Sequence, residues 1–76
     1  MALVRTFKEK EPRRLSLHDE VEASISSFEV DGRALLQIDT YGRPDREIPG
    51  KTSQTIQFDK EGAEQLYKLL QRTFNL

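Results

Sequence analysis

The sequence contains no cysteine and no tryptophan, and its only histidine is His18. Without cysteine the chain has no disulfide bonds and no thiolate ligands for zinc, and one histidine contributes little to any other transition-metal site. We therefore expect no metal and no other cofactor. No run of about 18 apolar residues occurs either, so the sequence predicts no transmembrane helix.

The N-terminal region also lacks the apolar stretch of a secretion signal, because its continuous apolar run is only Ala2–Val4. The expectation is a cytoplasmic protein. The 76 residues are predicted to form a single domain, with residues 1–14 as an edge strand followed by a charged loop. A domain of this size buries a small core and has no disulfides to support it, so we expect a homodimer.

The chain has no large excess of positive or negative charge, since its formal net charge is −1. The charges are nevertheless segregated along the chain. Residues 1–14 carry five basic and two acidic residues, whereas residues 18–31 carry five acidic residues and no lysine or arginine. A uniformly basic surface, typical of nucleic-acid-binding proteins, is therefore absent, but a local basic surface is compatible with this segregation.

The apolar residues that are present fall at strand and helix spacings. Alternation predicts strands around residues 21–30, 33–41 and 53–58, and Asp31-Gly32 predicts a tight hairpin turn between the first two of them. Asp59 is a suitable N-cap for a helix that extends to Phe74. We therefore predict an α+β fold, a curved antiparallel sheet of about four strands with one C-terminal amphipathic helix packed on it.

The same spacings predict which side chains form the core. The sheet is expected to present one apolar face to the apolar side of the helix, and alternation places Leu35, Gln37, Asp39 and Tyr41 on the other face of the strand at 33–41. The predicted buried residues are Val21, Ala23, Ile25, Leu36, Ile38, Ile56, Phe58, Ala63, Leu66, Leu70 and Phe74.

No catalytic motif is recognised in the chain. Ser16 and His18 lie close together, but no third group is specified to orient them, and a surface histidine is the simpler interpretation. The segment Pro49–Thr52 resembles the end of a phosphate-binding loop, yet it lacks the upstream glycine and is followed by a predicted strand rather than a helix. We predict a protein that is not an enzyme, with no catalytic and no metal-binding residues.

A binding function for single-stranded nucleic acid is the first hypothesis. Proteins of this class follow the phosphate backbone with lysine and arginine and stack bases on aromatic rings. The predicted site residues lie on one strand and in the connection that follows it: Arg33, Tyr41, Arg43, Arg46 and Lys51. The alternative interpretation is that Tyr41 closes the edge of the core and the arginines neutralise nearby acidic residues.

A protein-interaction module, such as a small inhibitor or regulator, is the second hypothesis. Residues 19–31 are interpreted as an acidic strand, which would repel phosphate groups but would attract a basic protein partner. Polar residues at alternate positions, Ser24-Ser26 and Ser53-Thr55-Gln57, would either face solvent or leave a sheet surface open to a partner.

A further indication comes from the order of short motifs between residues 28 and 74. Five segments follow one another in this order: Phe28–Arg33, Leu35–Tyr41, Pro49-Gly50-Lys51, Thr55–Phe58 and Leu66–Leu70. Together they resemble the transcriptional coactivator family known as positive cofactor four and its short bacterial relatives. The resemblance implies a four-stranded antiparallel sheet with one C-terminal helix, a homodimer, single-stranded DNA binding and a role in transcription regulation, in a small bacterial or phage protein.

The resemblance transfers a site role to three positions only. Arg33, Tyr41 and Lys51 stand where the family would use them, while Arg43 and Arg46 belong to the site by their place in the connection. Asp39 stands where the family has a strand arginine, and Gln37 replaces the acidic residue before it.

Overall fold

The computed structural model describes residues 1–13, 15–42 and 52–76, and these form one sheet and one helix. The predicted α+β fold is confirmed. The elements are strands β1 (Ala2–Val4), β2 (Ala23–Val30), β3 (Arg33–Tyr41) and β4 (Thr52–Phe58), followed by helix α1 (Lys60–Phe74).

The four strands form an open, mixed sheet in the order β1-β4-β3-β2. β2 pairs with β3 and β3 with β4 in antiparallel orientation, as predicted, but β1 pairs with β4 in parallel orientation. The difference has a physical reason, because side-chain alternation reports which face a residue lies on and carries no information about strand direction. No tight turn joins β1 to β4, so no local signal fixes their relative direction.

The β2–β3 hairpin forms at the predicted turn. Asp31 and Gly32 have φ values of 52° and 76°, the left-handed conformations that a two-residue type I′ turn requires. Glycine adopts this conformation without the steric penalty of a Cβ atom, and aspartate tolerates it better than most residues. The turn sets the register of the two strands, which pairs Val30 with Arg33 and Ile25 with Ile38.

Helix α1 begins and ends with recognisable caps. The Asp59 carboxylate accepts a hydrogen bond from the backbone N–H of Gly62 at 3.0 Å, which satisfies one of the free donors of the first turn. Asn75 adopts a left-handed conformation with φ of 58°, and the N–H of Leu76 donates to the carbonyl of Gln71. The predicted N-cap is therefore confirmed.

The first turn of α1 lies directly against the end of β1. A Cβ atom placed on Gly62 would be only 2.2 Å from the carbonyl oxygen of Val4, so only glycine permits this approach. The chain after β1 then follows the helix. The side chain of Gln65 accepts from the N–H of Phe7 and donates to the carbonyl of Arg5, and Arg72 pairs with Glu9.

The predicted core is largely wrong for the isolated chain. Phe58, which stacks on Phe7 with ring centroids 6.0 Å apart, is the one buried apolar side chain among the described residues. The remaining predicted core residues are half-buried (Leu36, Ile38, Ile56, Ala63, Leu66) or exposed (Val21, Ala23, Ile25, Leu70, Phe74). The reason is geometric, since α1 meets the sheet near its own N-terminus and does not cover the sheet along its length.

The register divides the sheet into two chemically different faces. The apolar face carries Phe58, paired with Val4 and Leu36, and Ile38, paired with Ile25 and Ile56. The opposite face, which we call the polar face, carries Leu3 and, nearer the hairpin turn, the apolar pair Phe28 and Leu35. Its remaining side chains form hydrogen bonds, namely Ser24, Gln37, Asp39, Tyr41, Thr55 and Gln57.

A candidate binding site on the polar face

Two pairs of facing residues on β3 and β4 form the centre of the polar face. Gln37 lies opposite Gln57, and Asp39 lies opposite Thr55. Side chains two residues apart on a strand point to the same face, so the four form one continuous group. We call these four residues the polar ladder, and each of them is half-buried.

The polar ladder is connected by hydrogen bonds between side chains. Thr55 Oγ1 donates to Asp39 Oδ1 at 2.6 Å, and Gln37 Nε2 donates to Asp39 Oδ2 at 3.0 Å. Gln57 Nε2 donates to Gln37 Oε1 at 2.9 Å. The four side chains therefore hold one another in position, which reduces the entropy that a ligand would remove on binding.

The charge of Asp39 is stabilised by these neighbours. The hydrogen bond from Thr55, followed by that from Gln37, lowers the pKa of Asp39 below its usual value, and partial burial opposes this effect. The carboxylate is therefore ionised at neutral pH. None of the ion pairs observed within residues 1–13, 15–42 and 52–76 includes Asp39.

A groove of about 600 Å³ lies above the polar ladder. The ladder residues form one part of its lining, and the remaining part comes from β1 and the start of β4: Met1, Ala2, Leu3 and Thr52. The groove thus combines apolar contact with a fixed set of donors and acceptors, the combination typical of sites that orient a flat polar ligand.

Tyr41 lies at one end of this face, as the sequence suggested. Its hydroxyl group is 2.8 Å from Ser24 Oγ, and its backbone N–H donates to the carbonyl of Glu22 at 3.0 Å. The ring is half-buried and held at both ends. It is therefore a fixed aromatic surface beside the polar ladder rather than a freely rotating side chain.

Arg33 belongs to a different region of the molecule. Its guanidinium lies 3.6 Å from the carboxylate of Asp59, to which Arg5 also donates at 2.9 Å. Arg33 and Tyr41 stand at opposite ends of the nine-residue β3, roughly 26 Å apart at the rise of an extended strand. The structure does not bring these two predicted site residues together.

The remaining predicted site residues, Arg43, Arg46 and Lys51, lie outside the described residues. Their position in the sequence is between Tyr41 and Thr52, which are register partners at the same end of β3 and β4.

The acidic residues of positions 19–31 do not form one strand. Asp19, Glu20 and Glu22 precede β2, Glu29 lies within it, and Asp31 is in the hairpin turn. The interpretation of this segment as an acidic strand is therefore wrong in its geometry, because the acidic residues are divided between the two ends of β2.

No group of three or more His, Cys, Asp or Glu side chains is arranged to hold a metal ion in residues 1–13, 15–42 and 52–76. Across the same residues, no helix has the length and apolar character needed to cross a membrane.

No protein-family model matches this chain, and searches of curated proteins and of solved structures found no match either. The resemblance to the positive cofactor four family therefore stays a prediction.

Sequence reasoning identified the polar residues but missed the site that they form. Alternation correctly placed Thr55 and Gln57 on one face of β4, and Gln37 and Asp39 on one face of β3. Alternation does not determine the register between β3 and β4, and it is this register that brings the four side chains together. One signal in the sequence would have indicated a ladder. It is the occurrence of matching polar side chains at alternate positions in two strands that are predicted to be neighbours.

Proposed function

We propose that this protein is a non-enzymatic, single-stranded nucleic-acid-binding protein, DNA or RNA, that acts as a small dimeric regulator. The observation that carries the proposal is the open polar face, where ordered side-chain donors and acceptors lie beside the fixed ring of Tyr41. Unpaired bases are bound by such surfaces through hydrogen bonds to their edges and by stacking on aromatic rings. A cytoplasmic location and a role in transcription regulation belong to this proposal.

The phosphate backbone is assigned to the basic residues near Tyr41 in the sequence. Arg43, Arg46 and Lys51 supply three positive charges in the connection between β3 and β4, which also contains Asp45 and Glu47. Thr52, at the start of β4, lines the groove. Arg33 has a smaller part in this proposal than in the sequence-based hypothesis, because it lies beside Asp59 at the other end of β3. Its charge already neutralises a carboxylate and is less available to phosphate.

The dimer is supported by the exposed surface of the single chain. The chain exposes 7062 Å², whereas a compact monomer of 8.8 kDa exposes about 4,800 Å². Its radius of gyration is 14.5 Å, against about 11 Å for a compact domain of this length. The chain therefore exposes about 2,300 Å² more than a compact monomer of its size. Part of this excess lies in residues 5–13 and 15–22, which are exposed and lie outside the sheet and the helix.

Apolar side chains account for part of that surface. Ile25 on the apolar face and Phe74 on the helix are each 65% exposed. Exposed apolar patches of this kind mark interaction surfaces. A second copy of the chain would cover the apolar face and leave the polar face open, so self-association and nucleic-acid binding use different surfaces.

Fluorescence anisotropy with a labelled single strand of about 20 nucleotides, and with its duplex, tests the binding proposal. We expect micromolar or tighter binding to the single strand, weaker binding to the duplex, and a loss of affinity as the salt concentration rises. Binding should fall at least about tenfold in Arg43→Glu/Arg46→Glu, because two phosphate contacts become repulsive.

The matched control is Lys60→Glu/Lys68→Glu, which makes the same change in net charge on exposed positions of α1. An equal loss of affinity in both double variants would mean that only net charge matters. No binding of either oligonucleotide at low salt would remove nucleic acid as the ligand, and a basic protein would then become the leading candidate for the partner.

A further inference from the structure

The two edges of the sheet differ in how they are protected. One edge is β1, which is three residues long and lies against the first turn of α1 at Val4. The other edge is β2, which is eight residues long, and within residues 1–13, 15–42 and 52–76 no strand pairs with its outer side. A long free edge pairs readily with a further strand unless lysine, proline or a bulge prevents it. β2 contains no lysine, arginine or proline, and its register with β3 is continuous.

The hairpin shows which backbone groups lie on the free edge. In a two-residue hairpin the residues that flank the turn, Val30 and Arg33, exchange both backbone hydrogen bonds, and every second pair along the strands does the same. The hydrogen bond from the N–H of Tyr41 to the carbonyl of Glu22 agrees with this alternation. The residues at odd positions of β2 therefore direct their N–H and C=O groups outward: Ala23, Ile25, Ser27 and Glu29.

A second copy of the chain can pair with these groups about a two-fold axis. Two identical edges that meet in antiparallel orientation are related by an axis perpendicular to the sheet, which keeps the polar faces of both copies on the same side. Opposite residues of antiparallel strands point to the same face, so a residue at an odd position must face one at an odd position. The axis therefore passes at a residue of β2 and not between two residues.

Side-chain size indicates that this residue is Ser26. With Ser26 opposite its own copy, each larger side chain of the paired segment lies opposite a small one: Ile25 opposite Ser27, Phe28 opposite Ser24, and Glu29 opposite Ala23. The charge of Glu29 meets no like charge, and all of the outward N–H and C=O groups find partners. An axis at Ile25 would pair only residues 23–27 of β2, and an axis at Ser27 would place Ile25 opposite Glu29.

We propose that the outer edge of β2 binds a second copy of the chain, β2 against β2 in antiparallel orientation, with Ser26 at the two-fold axis. The four strands of each copy then form one continuous sheet. The polar faces of the two copies lie side by side and stay open. This contact goes beyond the proposed function, because neither nucleic-acid binding nor the contact through the apolar face depends on it.

Ser26→Cys tests the geometry, because the chain has no cysteine of its own. The two introduced side chains face each other in a pair without hydrogen bonds, whose Cα atoms lie about 4.5 Å apart, a distance that a disulfide spans. We expect mild oxidation to convert most of the protein into a covalent dimer on non-reducing electrophoresis. Ser24→Cys is the matched control on the same strand and face. Its two copies would lie about 13 Å apart, too far for a disulfide, and should cross-link at least about tenfold more slowly.

Ser26→Lys tests the contact without a cross-link. Ser26 is exposed in the single chain, so lysine is accommodated there, but in the pair two lysines would face each other at the axis. Sedimentation equilibrium should give half the mass of the wild-type assembly, whether that assembly is a dimer through β2 alone or a tetramer that also uses the apolar face. Ser16→Lys adds the same charge to an exposed residue outside the sheet and should leave the mass unchanged.

Amide hydrogen exchange locates the contact on β2. The outward N–H groups of Ile25 and Ser27 should exchange at least about tenfold more slowly in the wild type than in Ser26→Lys, because only the pair protects them. The N–H groups of Ser24 and Phe28 are bonded to β3 in both proteins and should change little. This alternation also establishes that the hairpin of the variant remains folded.

The outcomes that overturn the edge contact are distinct. Equal cross-linking of Ser24→Cys and Ser26→Cys would mean random collision, and an unchanged mass in Ser26→Lys would place self-association elsewhere. A wild-type protein that sediments as a monomer would also overturn it, and the edge would then be free for an extended segment of another protein. Nucleic-acid binding is measured separately by anisotropy, so it stands or fails independently of this contact.

Discussion

Asp59 interacts with three different parts of the chain. It caps α1 through the N–H of Gly62, accepts from Arg5, and lies near Arg33, although it is 8% exposed and follows directly after the buried Phe58. One carboxylate thus links the N-terminal segment, the β2–β3 hairpin and the helix. A partly buried carboxylate is tolerated there because donors surround it.

Two replacements of Asp59 should therefore separate the contribution of helix capping to stability from the contribution of its charge. Asparagine is also a good N-cap, so Asp59→Asn loses the charge interactions with Arg5 and Arg33 but keeps the bond to Gly62, whereas Asp59→Ala loses both. Thermal unfolding should give melting temperatures in the order wild type, Asp59→Asn, Asp59→Ala. Glu20→Gln, which removes one negative charge from an exposed residue outside the strands and the helix, is the control. Equal melting temperatures for all four proteins would contradict the role assigned to Asp59.

The same residue predicts how stability depends on pH. The N–H of Gly62 is the largest influence that lowers the pKa of Asp59, followed by Arg5 and Arg33, and burial opposes them. A group whose folded pKa is lowered stabilises the protein above its unfolded pKa, near 3.8, and this stabilisation is lost as the pH falls through the folded pKa. Denaturant unfolding between pH 2 and 6 should show a smaller acid-induced loss in Asp59→Asn than in the wild type. Asp39, whose pKa is also lowered, contributes in the same direction.

At the scale of elements, the contact between β1 and α1 sets the position of the helix. Gly62 allows the helix to approach the backbone of Val4, and no larger residue fits between them. The connection from β1 then runs beside the helix through Gln65 and pairs with Arg72 near its end. The helix is thus held mainly by the N-terminal segment and by its own cap.

Gly62→Ala tests this arrangement against helix propensity. In an isolated helix the change would stabilise by about 1 kcal/mol. Here the added methyl group collides with a backbone carbonyl that has no free rotation, so we expect a net destabilisation of about 1–3 kcal/mol. Urea denaturation measures this change in the free energy of unfolding. The control is Glu64→Ala on the exposed side of the same helix, for which we expect a change near zero. A stabilised Gly62→Ala protein would mean that the helix and β1 are not in contact.

At the scale of the whole molecule, the exposed apolar surface is the feature that requires an explanation. The apolar helix stripe, Leu66, Leu70 and Phe74, follows the i, i+4 spacing of a packing surface, yet Phe74 is 65% and Leu70 37% exposed. Within residues 1–13, 15–42 and 52–76, Phe58 is the one buried side chain of the apolar face, and no side chain of the helix stripe is buried. A homodimer is the arrangement we propose to cover them.

Phe74→Glu distinguishes a folded monomer from a dimer. In a monomer the residue is mostly exposed, and the change should alter the free energy of unfolding by no more than about 0.5 kcal/mol. In the dimer it places a charge at an apolar interface, and a loss of about 2 kcal/mol or more is expected, together with dissociation. Sedimentation equilibrium and the concentration dependence of the melting temperature measure both effects.

Thr73→Glu is the matched control, because it adds the same charge to an exposed neighbour in the same helical turn. Both changes face the same unfavourable helix dipole, so a difference between them reports the interface alone. A wild-type protein that sediments as a monomer with a concentration-independent melting temperature would exclude the dimer.

The sequence by itself determined the elements whose signals are local. Asp31-Gly32 specified the hairpin because the turn requires positive φ angles, Asp59 specified the start of the helix because its carboxylate satisfies free N–H groups, and alternation placed Gln37 and Asp39 on one face. These features depend on interactions between neighbours in the chain, so a short window of residues contains the information.

Only the tertiary structure decided the features that depend on distant residues. Three of these features join parts of the chain that are far apart in sequence. They are the parallel pairing of β1 with β4, the position of Arg33 beside Asp59, and the alignment of the polar residues of β3 and β4 into one ladder. The predicted core failed for the same reason. Spacing shows which side of a helix is apolar, but it does not say whether that side packs on its own sheet or remains exposed for another molecule.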